Sequence, residues 1–312
     1  MSLQGGIKVE VALVILRQTI VMFLYMFAGY ILFRTEKITI KGCKDIATIL
    51  VNLVIPAVII NSFCVEYSHE KLVWLIQSAF LSALGIGIAM VIGALFFRKH
   101  PVDNFSCAFS NAGFIGIPLI QAAFGDKAVF FIVAIVALMN MMQWSYGVRI
   151  ITGEKSAVGF RRLFINPIFF SIAIGFVLFV TGVGAHLPDI FSSVLSGMAA
   201  LNAPLAMLVM GSYLAQSDMK KMLTSGRIYL TCAVRLLIVP AVTLLVFSFL
   251  YFDSTMMLAI FIALATPAGA NVAVYSQLYD ADYPYACQTV TMTTLLSIIT
   301  LPLMIVAAGL FI

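Results

Sequence analysis

The sequence predicts an all-α integral membrane protein of ten transmembrane helices, arranged as two inverted five-helix repeats. Three observations carry that reading. Of the 312 residues, 62% are hydrophobic and only 10% are charged, whereas soluble domains carry about 25% charged residues. Lipid must therefore be the main solvent. Ten apolar segments each meet the requirement of ~20 residues for a helical span. The fourth and ninth of them, at matching places in the two halves, contain the Gly, Pro and amide residues that a plain helix avoids.

The first five spans are expected at 9–33, 44–64, 72–97, 104–124 and 128–151. The second five are expected at 166–184, 188–215, 227–251, 254–278 and 284–311. The first segment is too long for a signal-peptide core and reads as a membrane helix. Connections are short and marked by charge, Gly or Pro, as in Arg98-Lys99-His100-Pro101 and Gln216-Ser217-Asp218. The longest loop, 152–165, divides a first repeat (1–160) from a second (161–312). Five cysteines (Cys43, Cys64, Cys107, Cys232, Cys287) form no Cys-x-x-Cys pair and read as small hydrophobes, with no disulfide or metal framework.

Charge sets the orientation. Arg34, Lys37, Lys41 and Lys44 fall in the first loop and Arg98 and Lys99 in the third. Arg149, Lys155, Arg161 and Arg162 surround the fifth, and Lys220, Lys221 and Arg227 the seventh. The other side has Lys8, Lys71 and Lys127. The positive-inside rule puts the odd-numbered loops in the cytoplasm and both termini outside a cell membrane. With five spans in each half, a repeated second half must be inserted upside down. The net charge of +5 is small and scattered, which argues against nucleic acid as a partner.

Span 4 contains Ser110-Asn111-Ala112-Gly113-Phe114-Ile115-Gly116-Ile117-Pro118-Leu119. Glycine costs roughly 1 kcal/mol in a helix interior and proline about 3, and membrane protein tolerates such backbone only where protein or a cavity surrounds it. Span 9 supplies the match in Ala265-Thr266-Pro267-Ala268-Gly269-Ala270-Asn271. Spans 2 and 7 also correspond, through Asn52 with Pro56 and Asn202 with Pro204, which read as kinks satisfied by neighbouring helices. Paired interrupted helices in inverted halves are the sequence mark of a secondary transporter's site. Gly113 and Gly116 also suit close helix packing, and it is the match in span 9 that favours a site.

A helix broken at mid-membrane exposes N–H groups at the start of one half and C=O groups at the end of the other. The N–H end carries about +0.5 of a charge and seats an anion. Ser110, Asn111, Thr266 and Asn271 add neutral hydrogen bonds, and Gly113, Gly116, Pro118, Pro267 and Gly269 shape the crossing backbone. Gln143, Trp144 and Tyr146 either line the cavity or anchor a span end. Arg17 and Arg235 lie inside spans, on the order of 12 Å deep at 1.5 Å per residue. An intramembrane arginine is a functional candidate, although a long side chain also snorkels or bonds freed carbonyls. Arg235 is the better substrate-binding candidate of the two.

None of the 13 acidic residues falls clearly at a mid-membrane position, and His69, His100 and His186 lie in loops. Proton relay through a buried carboxylate is therefore disfavoured, while Na+ coupling through carbonyls, Asn, Ser and Thr stays open beside uniport. A membrane enzyme would need clustered catalytic side chains or metal ligands at depth, and a channel a charged pore ring; the sequence shows neither, so no catalytic, metal or cofactor residues are expected.

The span-4 stretch resembles the signature of bacterial auxin efflux carrier (AEC) family permeases. Residues 265–269 with the following Tyr- and Asp-bearing turn are similar to that family's ninth span, and Thr300-Leu301-Pro302-Leu303 resembles its last. The resemblance implies a fold shared with plant PIN auxin exporters and, more distantly, bile-acid sodium symporters. Spans 1, 2, 6 and 7 would form a scaffold, often a homodimer interface, and spans 3–5 and 8–10 a transport domain that moves elevator-fashion. The implied cargo is a small organic anion, a carboxylate such as malate, malonate or auxin; the alternative is a sodium-coupled organic-anion symporter of the bile-acid type. Asn111 matches the crossover asparagine that contacts substrate in the plant members, Pro267 the span-9 crossover proline, and Asn140 a span-5 glutamine of the plant members. Ser110 stands where the plant members have a crossover proline, so a milder break in span 4 is expected, leaning on Gly113, Gly116 and Pro118.

Overall fold

A computed structural model describes residues 2–153 and 167–311, with side chains from residue 13 onward. The helices are α1 (Ser2–Arg34), α2 (Ile40–Phe63), α3 (His69–Phe97), α4 (Pro101–Ala108), α5 (Ala112–Phe124), α6 (Asp126–Thr152) and α7 (Pro167–Val180). They continue with α8 (Asp189–Gln216), α9 (Met219–Thr224), α10 (Gly226–Phe247), α11 (Ser254–Ala265), α12 (Asn271–Leu278) and α13 (Tyr283–Phe311). No strand occurs among the described residues. Seven helices, α1, α2, α3, α6, α8, α10 and α13, are long and apolar enough to cross a membrane, and α5, α7 and α11 are shorter apolar helices. The segment read as span 4 is divided into α4 and α5, and that read as span 9 into α11 and α12. The repeat boundary expected at 160/161, most of the 152–165 loop, and Lys155, Arg161 and Arg162 lie outside the described residues.

Capping residues specify the turns between helices. Thr39 accepts from the Gly42 N–H at the start of α2, and Ser68 accepts from Lys71 at the start of α3. Asp218 caps α9, and Asp253 accepts from the Met256 N–H at 2.8 Å to open α11. Each satisfies donors that a helix start leaves orphaned. At the end of α6, Gly153 adopts φ 69°, the left-handed conformation that ends many helices.

Three helices widen into a π-type turn, and each time a proline follows two residues later. The turns are Leu50–Val54 before Pro56, Ala112–Gly116 before Pro118 and Val234–Ile238 before Pro240. Proline has no N–H and its ring crowds the carbonyl four residues back, and the wider turn absorbs that clash. A fourth such turn, Gln143–Gly147 in α6, has no proline; there Gly147 admits the Phe105 ring, which a Cβ would strike.

Packing is closest where small residues allow it. A Cβ on Gly29 of α1 would run into the Leu208 backbone of α8, and one on Gly211 into the Met26 carbonyl. The two helices thus meet backbone to backbone. At the other extreme, α11 is enclosed: residues 259–265 are all buried. Leu13, Leu24, Phe27, Leu95, Ile190 and Phe191 are exposed on the outside, the surface that lipid covers.

Candidate functional site

The two breaks are hydrogen-bonded to each other. After α4, Phe109 is extended (φ −121°, ψ 117°), and Ser110 pairs with Ala268 in an isolated antiparallel bridge. The Asn111 N–H donates to Pro267 O at 2.9 Å, and the Gly269 N–H donates to Phe109 O at 3.0 Å. Backbone groups freed from one helix are thereby satisfied by the other, as buried peptide groups must be. The approach is close: a Cβ on Gly269 would lie 3.0 Å from Ser110 O. The milder break expected from Ser110 is therefore wrong. Span 4 opens fully at residues 109–111, because pairing with residues 267–269 replaces the local constraint a proline would supply. Gly113 and Gly116 lie in the turn after the break and Pro118 in the helix that follows.

Both second halves start beside one cavity of about 670 Å³, within the usual range for small-ligand sites. No side chain caps the start of α5 or of α12. Of the residues singled out from sequence, Ser110, Asn111, Gly113, Asn140, Gln143, Gly269 and Asn271 line this cavity. Asn111 is buried, and its Nδ2 has no hydrogen-bond partner. Asn271 Nδ2 donates to Gln143 Oε1 at 2.7 Å. Asn140 Nδ2 donates to Val136 O at 2.8 Å, and Ser110 Oγ lies 3.4 Å from Met139 Sδ. Trp144 also lines the cavity, edge-on to Tyr275 with centroids 5.2 Å apart; Tyr146 does not, and packs against Phe109.

Thr266, Arg235, Gly116, Pro118 and Pro267 are not part of the lining. Thr266 is buried and donates its hydroxyl proton to Ala263 O at 2.8 Å. Arg235 is buried at 1% exposure, with its guanidinium on backbone carbonyls at the ends of α4 and α11. Neither lines the cavity; both side chains donate to backbone carbonyls at the helix ends instead.

Sequence reasoning missed two features of the cavity lining, Lys44 and the contact between Tyr283 and Gln216. Lys44, expected in the first loop, lies in α2 and lines the cavity. Its spacing from Thr48 and Asn52, both also lining, is the i, i+4, i+8 of one helix face, and that was the available signal. Among the described residues no carboxylate joins Lys44 in the lining. At the same end of the molecule, Tyr283 Oη donates to Gln216 Oε1 at 3.4 Å. Asn202 donates from Nδ2 to Gly113 O at 3.1 Å, which ties α8 to the first break.

One carboxylate is buried nearby. Asp103, in the first turn of α4, is 1% exposed. It accepts from Tyr285 Oη at 2.6 Å and Thr231 Oγ1 at 2.7 Å, and Arg227 Nε lies 3.3 Å away. The network joins α4, α10 and α13.

The membrane transport protein family matches this sequence over residues 14–305. The chain belongs to that family. It is the family of the auxin efflux carriers, in keeping with the resemblance of the span-4 stretch. The chain is also 24% identical over 298 residues, 88% of its length, to an uncharacterized transporter of Methanothermobacter thermautotrophicus, of which the match covers 92%. With seven helices of membrane-crossing length and composition, this family member is a multi-pass membrane transport protein.

Proposed function

We propose that the protein is a secondary transporter for a small organic anion, a carboxylate of malate-, malonate- or auxin-like size. The observation that carries this reading is the lining of the main cavity: among the described residues it has one cation, Lys44, no carboxylate, and the unpartnered side-chain amide donor of Asn111 beside two uncapped helix starts. Each helix start contributes about half a positive charge. A buried donor without an acceptor is unusual in a native interior, and a carboxylate oxygen is the partner that fits.

Movement is proposed to be elevator-like, with two inverted repeats crossing at residues 109–111 and 266–270. Helices α1, α2, α7 and α8 form the scaffold in this reading; α3–α6 and α10–α13 form the moving body. Its support is the bonding pattern. Arg235 joins α10 to the ends of α4 and α11, Asp103 joins α4 to α10 and α13, and the glycine contacts of α1 and α8 lock the scaffold. The cavity reaches Ile40, Gln216 and Tyr283, at the helix ends nearest Lys41, Lys220 and Lys221. On the proposed topology that mouth faces the cytoplasm.

A thermal-unfolding screen of purified protein against small carboxylates tests the reading. Binding to the folded state alone raises stability by mass action, about 2.7 kcal/mol at a hundred times Kd. Stabilisation by at least one monocarboxylate or dicarboxylate, but not by its amide, is expected. A screen in which no carboxylate outperforms its amide overturns the anion reading.

A further inference from the structure

We propose that the crossing contains a monovalent-cation site that the chain fills itself, with the guanidinium of Arg235. The ligands are three backbone carbonyls. Nη1 donates to Cys107 O at 2.9 Å, Nε and Nη2 donate to Thr266 O at 3.1 and 2.9 Å, and Nη2 also reaches Leu264 O. Cys107 lies in the last turn of α4, Leu264 in the last turn of α11, and Thr266 just past it.

Charge explains the arrangement. Each helix C-terminus carries about half a negative charge, so two together match one guanidinium. Among the described residues no carboxylate pairs with Arg235, and its burial at 1% exposure excludes bulk water as the compensating medium. Carbonyls at half-helix C-termini are the ligands with which broken membrane helices hold a coupling cation. Here a planar, weakly hydrated fork of donors occupies them. A tethered cation supplies the charge without a gradient to draw on, so no Na+ is coupled through these carbonyls. That consequence for transport rests on the transporter reading; the filled site rests on the hydrogen bonds alone. Uncapped helix starts remain on the cavity side, and the split leaves positive ends facing cargo and negative ends facing Arg235.

Thermal unfolding of purified Arg235→Lys, Arg235→Met and Arg235→Ala protein tests this without any carboxylate, so its outcome is separable from that of the ligand screen. Wild type is expected to unfold at one temperature in NaCl, KCl or choline chloride of equal strength. Arg235→Met, which keeps bulk without charge, should lose on the order of 10 °C, and Arg235→Lys about half as much. Millimolar methylguanidinium should raise the unfolding temperature of Arg235→Ala by several degrees and leave wild type unmoved. If Arg235→Ala does not accumulate folded, the Lys and Met variants decide. Arg235→Met as stable as Arg235→Lys, a folded Arg235→Ala indifferent to methylguanidinium, or a wild type stabilised by Na+ over K+ each overturns the proposal.

Discussion

The two breaks do the same job by different means. The second is written into its own residues: Pro267 has no N–H, it forces Thr266 into an extended conformation (φ −59°, ψ 156°), and Gly269 admits the opposing strand. The first has no proline at the crossing, and the residues on either side of Ser110 are bonded to the other half of the chain, at Pro267 and Gly269. Their asparagines differ in the same sense. Asn271 is committed to Gln143, whereas Asn111 Nδ2 has no partner. The self-specified arm acts as the template, and the arm that depends on it keeps a side-chain donor unpaired.

The largest effect that would break this comparison is at the template. Gly269→Leu drives a side chain into Ser110 O, and about 3 kcal/mol of destabilisation, roughly 9 °C, is expected in thermal unfolding. An unchanged unfolding temperature would mean that the close approach is dispensable. Next come the asparagines, which should separate. Asn111→Ala should weaken carboxylate binding at least about tenfold, because a hydrogen bond to a charged group contributes ~1.5–3 kcal/mol. Its stability should hold or rise, since the deleted group is unpaired. Asn271→Ala should instead cost about 2 kcal/mol, roughly 6 °C, by stranding Gln143 Oε1. Equal behaviour of the two in paired binding and unfolding measurements would erase the distinction. The smallest effect is Ser110→Pro. Phe109 is already extended, as a residue before proline must be, and the pairing uses the N–H groups of Asn111 and Gly269. Stability within about 1 kcal/mol of wild type is expected, and a large loss would show that the first break cannot be written locally.

Much of the fold was legible because membrane helices announce themselves by length and composition, and because helix breakers have no other use in a lipid-solvated segment. Span 9 was the more readable break for the reason just given: its instructions are local. The depth of the break at Ser110 was illegible, since its cause lies in the other half of the chain. Cavity-lining Asn111, Asn140, Gln143 and Asn271 were legible as amides at or near the breaks. Lys44 was hidden by the loop-like charge around it, although Thr48 and Asn52 share its helix face. Arg235 was legible as unusual, with freed carbonyls among its expected partners; which carbonyls was illegible, because they belong to helices far from it in sequence. Asp103 was overlooked because a carboxylate one turn into a helix reads as solvated until Thr231, Tyr285 and Arg227 are brought around it.

The bridge between Ser110 and Ala268 also bears on how the protein is made. Its two strands are synthesised half a chain apart, so the first enters the membrane before its partner exists. Until Pro267 and Gly269 arrive, the Asn111 N–H and the Phe109 carbonyl have no acceptor or donor across the crossing, and bare hydrocarbon does not tolerate such groups. The nascent first half therefore has to bond within one continuous helix through residues 109–111 or stay against protein and water. In either case the bonds that hold the open form can be made only once residues 267–269 are in place. The final topology of span 4 is thus acquired late, as an assembly step within a single polypeptide.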